Sequence, residues 1–364
     1  MAAAWVTGAS LGLGPVDDHQ CPTGARRRKP VGGNAAAGRP FSWRTCQRRP
    51  LILKIAVTLA AALLALVTVA VLNARLWWPF DLLTHFRLQY VAAAAVLLVA
   101  ALVLRAWPAA AILVTVALLH GWVIKDLWTA PTPETPPGER LRVVAANVLN
   151  ANRTPEAVAD FVARSDADVV ILVDAVGPRW VEALEEIGGL YPHAAPDGWR
   201  SGAPALIFSR HPIWYDRMAR RTAGRTPYLA TRLTVGDRSV SVIGVHPTSP
   251  APFDGDGSRA RNRQLRQLAE TAAGLDDLLI VAGDFNTTLW SPHAVALLDA
   301  TGLRPAAHGH GWHATWPRWM PPGRIPIDHV LLRGPLTSER FGRGPAIGSD
   351  HFPVVADLVL APPP

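Results

Sequence analysis

Beyond residue 140, six apolar runs each begin or end on a group able to bind a cation, hold a phosphate or move a proton. Asn147 follows Val-Val-Ala-Ala, Asp174 follows Val-Val-Ile-Leu-Val, and His246 follows Val-Ile-Gly-Val. Asp284 and Asn286 follow Leu-Ile-Val-Ala-Gly, Asp328 interrupts Ile-Pro-Ile-Asp-His-Val, and Asp350-His351 precedes Phe-Pro-Val-Val-Ala-Asp-Leu. Singly, each reads as a cap or turn residue. Together they are oxygen and imidazole donors of the kind that a hard divalent cation and a phosphoryl group require.

Buried strands are the elements that would hold such groups at one edge. Strand patterns occur at 141–149, 167–176, 205–210, 228–235, 239–246, 278–283, 327–334 and 351–360. Residues 154–166 read as a helix capped by Thr154, with Val158, Phe161 and Val162 on its apolar face. A second helix at 181–189 is stopped by glycines, and a third covers 258–270, its arginines on a solvated face with Arg259 or Arg263 within reach of a polyanion. The later strands mostly lack helices between them. This mixture predicts an α+β fold, a four-layered α/β/β/α sandwich, rather than a doubly wound parallel sheet.

The charge is unevenly spread. Residues 1–50 hold eight Lys/Arg against two Asp, 51–138 hold five against three acidic residues, and 139–364 hold 23 of each sign. The net charge of +8 therefore lies outside the region with the chemistry, which argues against a nucleic-acid partner gripped through its backbone. The two cysteines, Cys21 and Cys46, cannot staple that region and read as free thiols.

Uncharged runs at 55–72, 90–104 and 109–123 predict three transmembrane helices, the second and third extended by flanking aromatics. The basic residues before the first run place the N-terminus in the cytoplasm and everything after Lys125 outside it, and no cleavable signal peptide is expected. The expected organisation is a basic, disordered cytoplasmic segment (1–50), a membrane domain (51–128), a Pro-rich linker (129–138) that lifts a domain off the bilayer, and an extracytoplasmic catalytic domain (139–364). Residues 73–89 read as a short external loop with Trp77 and Trp78 at the interface.

The segments "VVAANVLNAN", "ADVVILVDAV", "GAPALIFSRHPI", "GVHPTSP", "AGDFNTT", "TW" at 315–316, "IDHVL" and "SDHFPVVADL" resemble, in this order, the endonuclease/exonuclease/phosphatase superfamily. The resemblance spans about residues 141–360 and is nearest to the membrane-anchored VanJ-like branch associated with glycopeptide resistance. It implies His351 next to the reacting phosphorus, Asp328 holding its tautomer, and His246 donating to a phosphoryl oxygen. Asp284 would orient or deprotonate water, and Asn286 would bind phosphate. Whether Asp284 or His351 is the base stays open. Asp174 would ligate Mg²⁺, or Mn²⁺ in its place, with Asn147 and Asp350 as further ligands or close support. Asp174 stands where most of the superfamily has Glu, one methylene longer.

Trp316 would pack against the substrate site, and Arg210 either secures a sheet turn or touches substrate. Trp319 and Met320 are candidates to meet a lipid tail, whereas His308, His310 and His313 read as a surface loop. The implied partners are a membrane-displayed phosphorylated lipid and the bilayer itself. The implied activity is hydrolysis of an isoprenoid-lipid pyrophosphate or related cell-envelope phosphate. The alternatives are an extracellular nuclease or phospholipid phosphodiesterase, and a non-catalytic envelope phosphate-binding protein.

Overall fold

Alternation sets the architecture of the C-terminal region. In a computed structural model, which describes residues 43–130, 137–196, 203, 205–214, 228–250, 255–275 and 278–362, the first strand β1 (Glu139–Asn147) buries both faces. Val143 and Ala145 point to one core and Val144 and Ala146 to another, the period-2 consequence of a strand covered on both sides. Arg48–Pro364 form one compact unit. Of the other, Met1–Gln47, only residues 43–47 are described, as helix. The expectations for residues 1–42, for Cys21, for the Cys46 side chain and for linker residues 131–136 fall outside what is described.

Two six-stranded sheets face each other. The first contains β1, β2 (Val169–Val173), β3 (His193–Ala195), β4 (Ala205–Ser209), β11 (Leu336–Arg343) and β12 (Val354–Leu360), in the order β11-β12-β1-β2-β4-β3. The second contains β5 (Ile213–Trp214), β6 (Tyr228–Val235), β7 (Arg238–Val245), β8 (Leu279–Asp284), β9 (Arg304–Pro305) and β10 (Asp328–Arg333), in the order β5-β6-β7-β8-β10-β9. Their inner faces share one core that includes Ile171, Ile207, Leu229, Val242 and Ile280. Two helices, residues 155–165 and 181–190, cover the first sheet through Phe161, Val162 and Ile187, joined by Trp180 from the turn before the second. Residues 256–273 and 292–301 cover the second through Leu265, Leu268 and Leu297. This is the four-layered α/β/β/α arrangement expected from the strand and helix pattern.

Three helices are long and apolar enough to cross a membrane. The first covers Pro50–Leu72 within the longer α1 (Trp43–Leu72). The second candidate span, Trp78–Val103, comprises α2 (Trp78–Leu83), a single 3₁₀ turn and α3 (Arg87–Val103). The third is α4 (Trp107–Ile124), followed by the single turn α5 (Asp126–Thr129). Small residues bring the helices together: Ala61, Ala94, Ala101, Ala109 and Ala110 are all buried, while Leu63, Leu66, Val99 and Leu118 point outward. Arg87 donates to His120 Nδ1 at 3.3 Å, which leaves His120 Nε2–H to donate to Thr68 Oγ1 at 3.1 Å.

Several elements differ from the expectation. Residues 73–89 are not a plain loop, because α2 and the turn after it pack against the two-sheet region. Asp81 is paired with the guanidinium of Arg261 and accepts from Ser291 Oγ at 2.7 Å. His85 Nδ1 lies 2.9 Å from Thr288 Oγ1, and the Trp290 indole donates to Thr84 O at 2.7 Å. The α5 carbonyls of Asp126 and Leu127 accept from Gly309 and Gly311 N–H. The domain is therefore docked on the helix ends rather than lifted away from them. Thr154 precedes its helix as expected, yet its hydroxyl donates to Asn152 Oδ1 instead of capping.

Candidate active site

Strand register gathers the chemistry at one edge of both sheets. β1 and β2 run parallel with Asn147 opposite Val173, so Asp174 emerges beside Asn147. β7 and β8 run parallel with Val245 opposite Gly283, which brings His246 next to Asp284. β10 runs antiparallel to β8 with Asp328 directly opposite Asp284. The antiparallel β12 enters from the same end, where Ala145 faces Val354, and so delivers the preceding Asp350-His351. Gly283 permits this approach. It has φ +137°, and a Cβ there would lie 2.2 Å from Val245 O. Gly283→Ala is expected to destabilise by about 1–3 kcal/mol or more, read as a fall in the unfolding midpoint of the full-length protein; an unchanged midpoint would contradict this strand contact.

Asp284 is the hub. Its Oδ1 accepts from Asn286 N–H at 2.7 Å, and its Oδ2 accepts from Asn147 Nδ2 at 2.9 Å. Both imidazoles converge on that second oxygen, with His246 Nε2 and His351 Nε2 each 3.8 Å away. His351 Nδ1 is 2.9 Å from Asp328 Oδ2, an arrangement that orients the ring and directs Nε2 towards Asp284. Burial by itself would lower the His351 pKa. The carboxylates of Asp328 and Asp284 and the Asp328 hydrogen bond outweigh it and raise the pKa to about 9. Burial pushes the Asp328 carboxyl up, partly opposed by the neighbouring imidazolium.

Asn286, at φ +51°, donates its amide to Pro247 O at 2.9 Å and so ties the Asp284 turn to the His246 loop. The Asp350 carboxylate accepts from the Trp316 indole at 3.0 Å, and the Trp316 ring lies 6.3 Å from the His351 ring. Asn147, Asp174, His246, Asp284, Asn286, Trp316, Asp350 and His351 all border one cavity of about 840 Å³, a size suited to a small-molecule ligand. Asp328 stands behind His351 and is fully enclosed.

The donors around the cavity fit a hard cation. Asp174, at φ +66°, accepts from Asn150 N–H through one oxygen at 2.9 Å, and no other hydrogen bond to its carboxylate occurs among the described residues. Its second oxygen is thus left over beside Asn147 at the cavity rim, the oxygen chemistry that Mg²⁺ takes. Asp284, Asp328 and His351 form a second group with donor atoms within 4.8 Å of one another, although the Asp328–His351 hydrogen bond already engages two of them.

Arg210 is not part of this site. β4 runs antiparallel to β2, with Val173 opposite Ala205 and Val169 opposite Ser209. Arg210 therefore follows the opposite end of the sheet from Asp174, where it pairs with Asp166 at 2.7 Å and lies 3.8 Å from Asp168. The structure adds other contributors to the site. Ser349 Oγ donates to Asn147 O at 2.8 Å and accepts from His351 N–H, locking the last loop to the first strand. Leu82, His85 and Phe86 from the second candidate span also border the cavity. Ser349 lies in the Ser-Asp-His segment that carries the family resemblance, whereas residues 82–86 have no local signal for their place beside the cavity.

The two-sheet sandwich, with histidines and carboxylates gathered at one edge, is the fold of a known family. The chain belongs to the Endonuclease/Exonuclease/phosphatase family, whose model matches residues 144–351. No curated protein matches it in sequence. Among solved structures it is similar to sphingomyelinase C from Streptomyces griseocarneus, at 21% identity over 60% of this chain and 99% of that one, with a TM-score of 0.44. It is similar also to a variant of the Staphylococcus aureus beta toxin with bound magnesium ions, at 18% identity, 60% and 99% coverage and a TM-score of 0.45. A family protein from Beutenbergia cavernae shares 20% identity over 61% of this chain and 72% of its own, with a TM-score of 0.44. Family membership suggests a phosphoesterase, and the three apolar helices suggest association with a membrane.

Proposed function

We propose that the protein is a Mg²⁺-dependent phosphohydrolase that acts on a phosphorylated cell-envelope lipid, an isoprenoid-lipid pyrophosphate, at the outer face of the cytoplasmic membrane. Placement in the VanJ-like branch and an extracytoplasmic site belong to the same proposal. The observation that carries it is the composition of the cavity: Leu82 and Phe86, from the start of the second candidate span, line the same space as His246, Asp284 and His351.

In this reading the terminal phosphoryl group sits between His246 and His351, with Asn286 beside it. Asp328 keeps Nδ1 of His351 engaged, so a charged His351 presents Nε2–H to the phosphoryl oxygens and His246 donates from the other side. Asp284, already aligned by Asn147 and the Asn286 N–H, accepts the proton of the attacking water. Water oxygen bonds to the terminal phosphorus, the anhydride P–O bond breaks, and the products are inorganic phosphate and the lipid monophosphate. A cation held by Asp174, with Asn147 and Asp350 nearby, would supply neutralisation of the phosphate charge.

The direct test is phosphate release by the full-length protein in liposomes containing undecaprenyl pyrophosphate. Release is expected with Mg²⁺, should stop on chelation and should return when Mg²⁺ is restored. Diacylglycerol-forming cleavage of a phospholipid instead would favour the phosphodiesterase reading, which the same membrane-side cavity supports. DNA cleavage without any action on lipid would overturn the proposal.

A further inference from the structure

We infer that the start of the second candidate span is part of the substrate site: Leu82 and Phe86 from it, and Trp319, Met320 and Ile325 from a distant loop, form a slot for the hydrocarbon tail of a phosphorylated lipid drawn from the bilayer that holds the spans. This rests on the proposed function and specifies where its substrate lies.

The walls are apolar and come from two distant parts of the chain. Leu82 lies in the last turn of α2 and Phe86 immediately precedes α3, so both belong to the second candidate span. Both are half-buried, which leaves part of each side chain facing the cavity. Of the other lining residues, Ile325 is buried and Met320 partly open, while Trp319 is 70% exposed although it borders the same cavity. A soluble protein has little reason to leave an indole and a thioether uncovered beside its active site, whereas a hydrocarbon chain would cover both.

The two walls are fixed to each other. Gln89 Nε2 donates to Arg324 O at 3.0 Å and to Pro322 O at 3.3 Å, so the start of α3 grips the turn that carries Met320. The anchor wall is held in turn by the Asp81–Arg261 pair and the His85–Thr288 contact. One end of the slot meets the phosphate-binding groups and the other meets a helix long enough to span a membrane. An occupant with a charged phosphate head and a long apolar tail matches both ends, and the tail enters from the lipid side without leaving hydrocarbon.

The test compares hexadecyl and butyl pyrophosphate as substrates of the full-length protein. The ratio of their kcat/KM values is expected to fall roughly tenfold in Leu82→Ser, Phe86→Ser and Trp319→Ser, and to be largely kept in Phe86→Leu. Trp319→Ser changes an exposed side chain, so its result does not depend on tolerance of a core substitution. An unchanged ratio in all three serine variants would overturn the slot. If the wild type hydrolyses neither substrate, the proposed function fails and a second readout decides the slot. Hexadecyl phosphate with a diazirine in its tail should label residues 316–325, and Phe86→Ser should reduce that labelling several-fold. Equal labelling of both proteins would overturn the slot as well.

Discussion

His351→Ala is expected to reduce phosphate release by about 10²–10⁴-fold, the range for loss of a positioned proton-transfer or charge-stabilising group. The side chain is buried, points one nitrogen at Asp328 and the other at Asp284, and borders the cavity. Alanine removes both the phosphoryl donor and the partner of a buried carboxylate. The pH profile is a sharper test. Because the folded pKa is raised from 6.5 to about 9, His351 is charged throughout the neutral range. The catalytic benefit of that charge should persist above pH 7 and disappear as pH rises through about 9. The same sign applies to stability: the contribution is complete below 6.5 and lost as pH rises towards and through 9. Asp328→Asn removes the main raising charge, and the alkaline limb of kcat/KM should move towards neutrality. A limb that stays in place would show that another group titrates there.

The sequence carried most of this site because strand periodicity and strand termination are local signals. Val143–Ala146, Val169–Val173 and Val242–Val245 alternate between two cores, and the first polar residue after each is held at the sheet edge by the register itself. The polar terminus thus specifies position, and the resemblance supplied roles. Weak local signals failed in physically understandable ways. β11 carries Ser, Glu and Arg because it is an edge strand, partly open to solvent and interrupted by a bulge, so it lacks a clean apolar run. The helix at 292–301 begins at Ser291, which accepts from His293 N–H, but its short mixed sequence followed the recognised Asp-Phe-Asn turn and drew no separate reading. For Arg210 the sequence leaves a sheet turn and a substrate contact both open, because adjacency to a strand end does not reveal which end of the sheet it is; antiparallel pairing decides against the substrate contact.

The same limit hid Arg261. On helical periodicity it sits among Arg259, Arg263 and Arg266 and reads as one more solvated cation, yet it is 0% exposed. What buries it is Asp81, contributed by the anchor region across a separation that no local window spans. Arg261 also donates to Asn286 O at 3.1 Å, and Asp81 accepts from Ser291, so one ion pair clamps both ends of the Asn286–Ser291 loop.

Asp81→Ala should therefore be the most destabilising single change outside the core strands. It leaves a guanidinium buried without its counter-charge, a loss on the order of 3–5 kcal/mol. The expected readout is a clear fall in the unfolding midpoint of the full-length protein in detergent, with reduced hydrolysis as Asn286 loses its support. Asp81→Leu combined with Arg261→Met distinguishes the buried charge from the packing around it. Removing both charges together should recover much of the midpoint, because an apolar pair of similar volume avoids the desolvation cost. Activity should recover less, since methionine cannot donate to Asn286 O. Stability and catalysis would then separate in one variant. If the double variant is as unstable as Asp81→Ala, steric packing rather than charge pairing holds the anchor to the catalytic loop. If Asp81→Ala is neutral, the docking of the two regions is too weak for the anchor to shape the site.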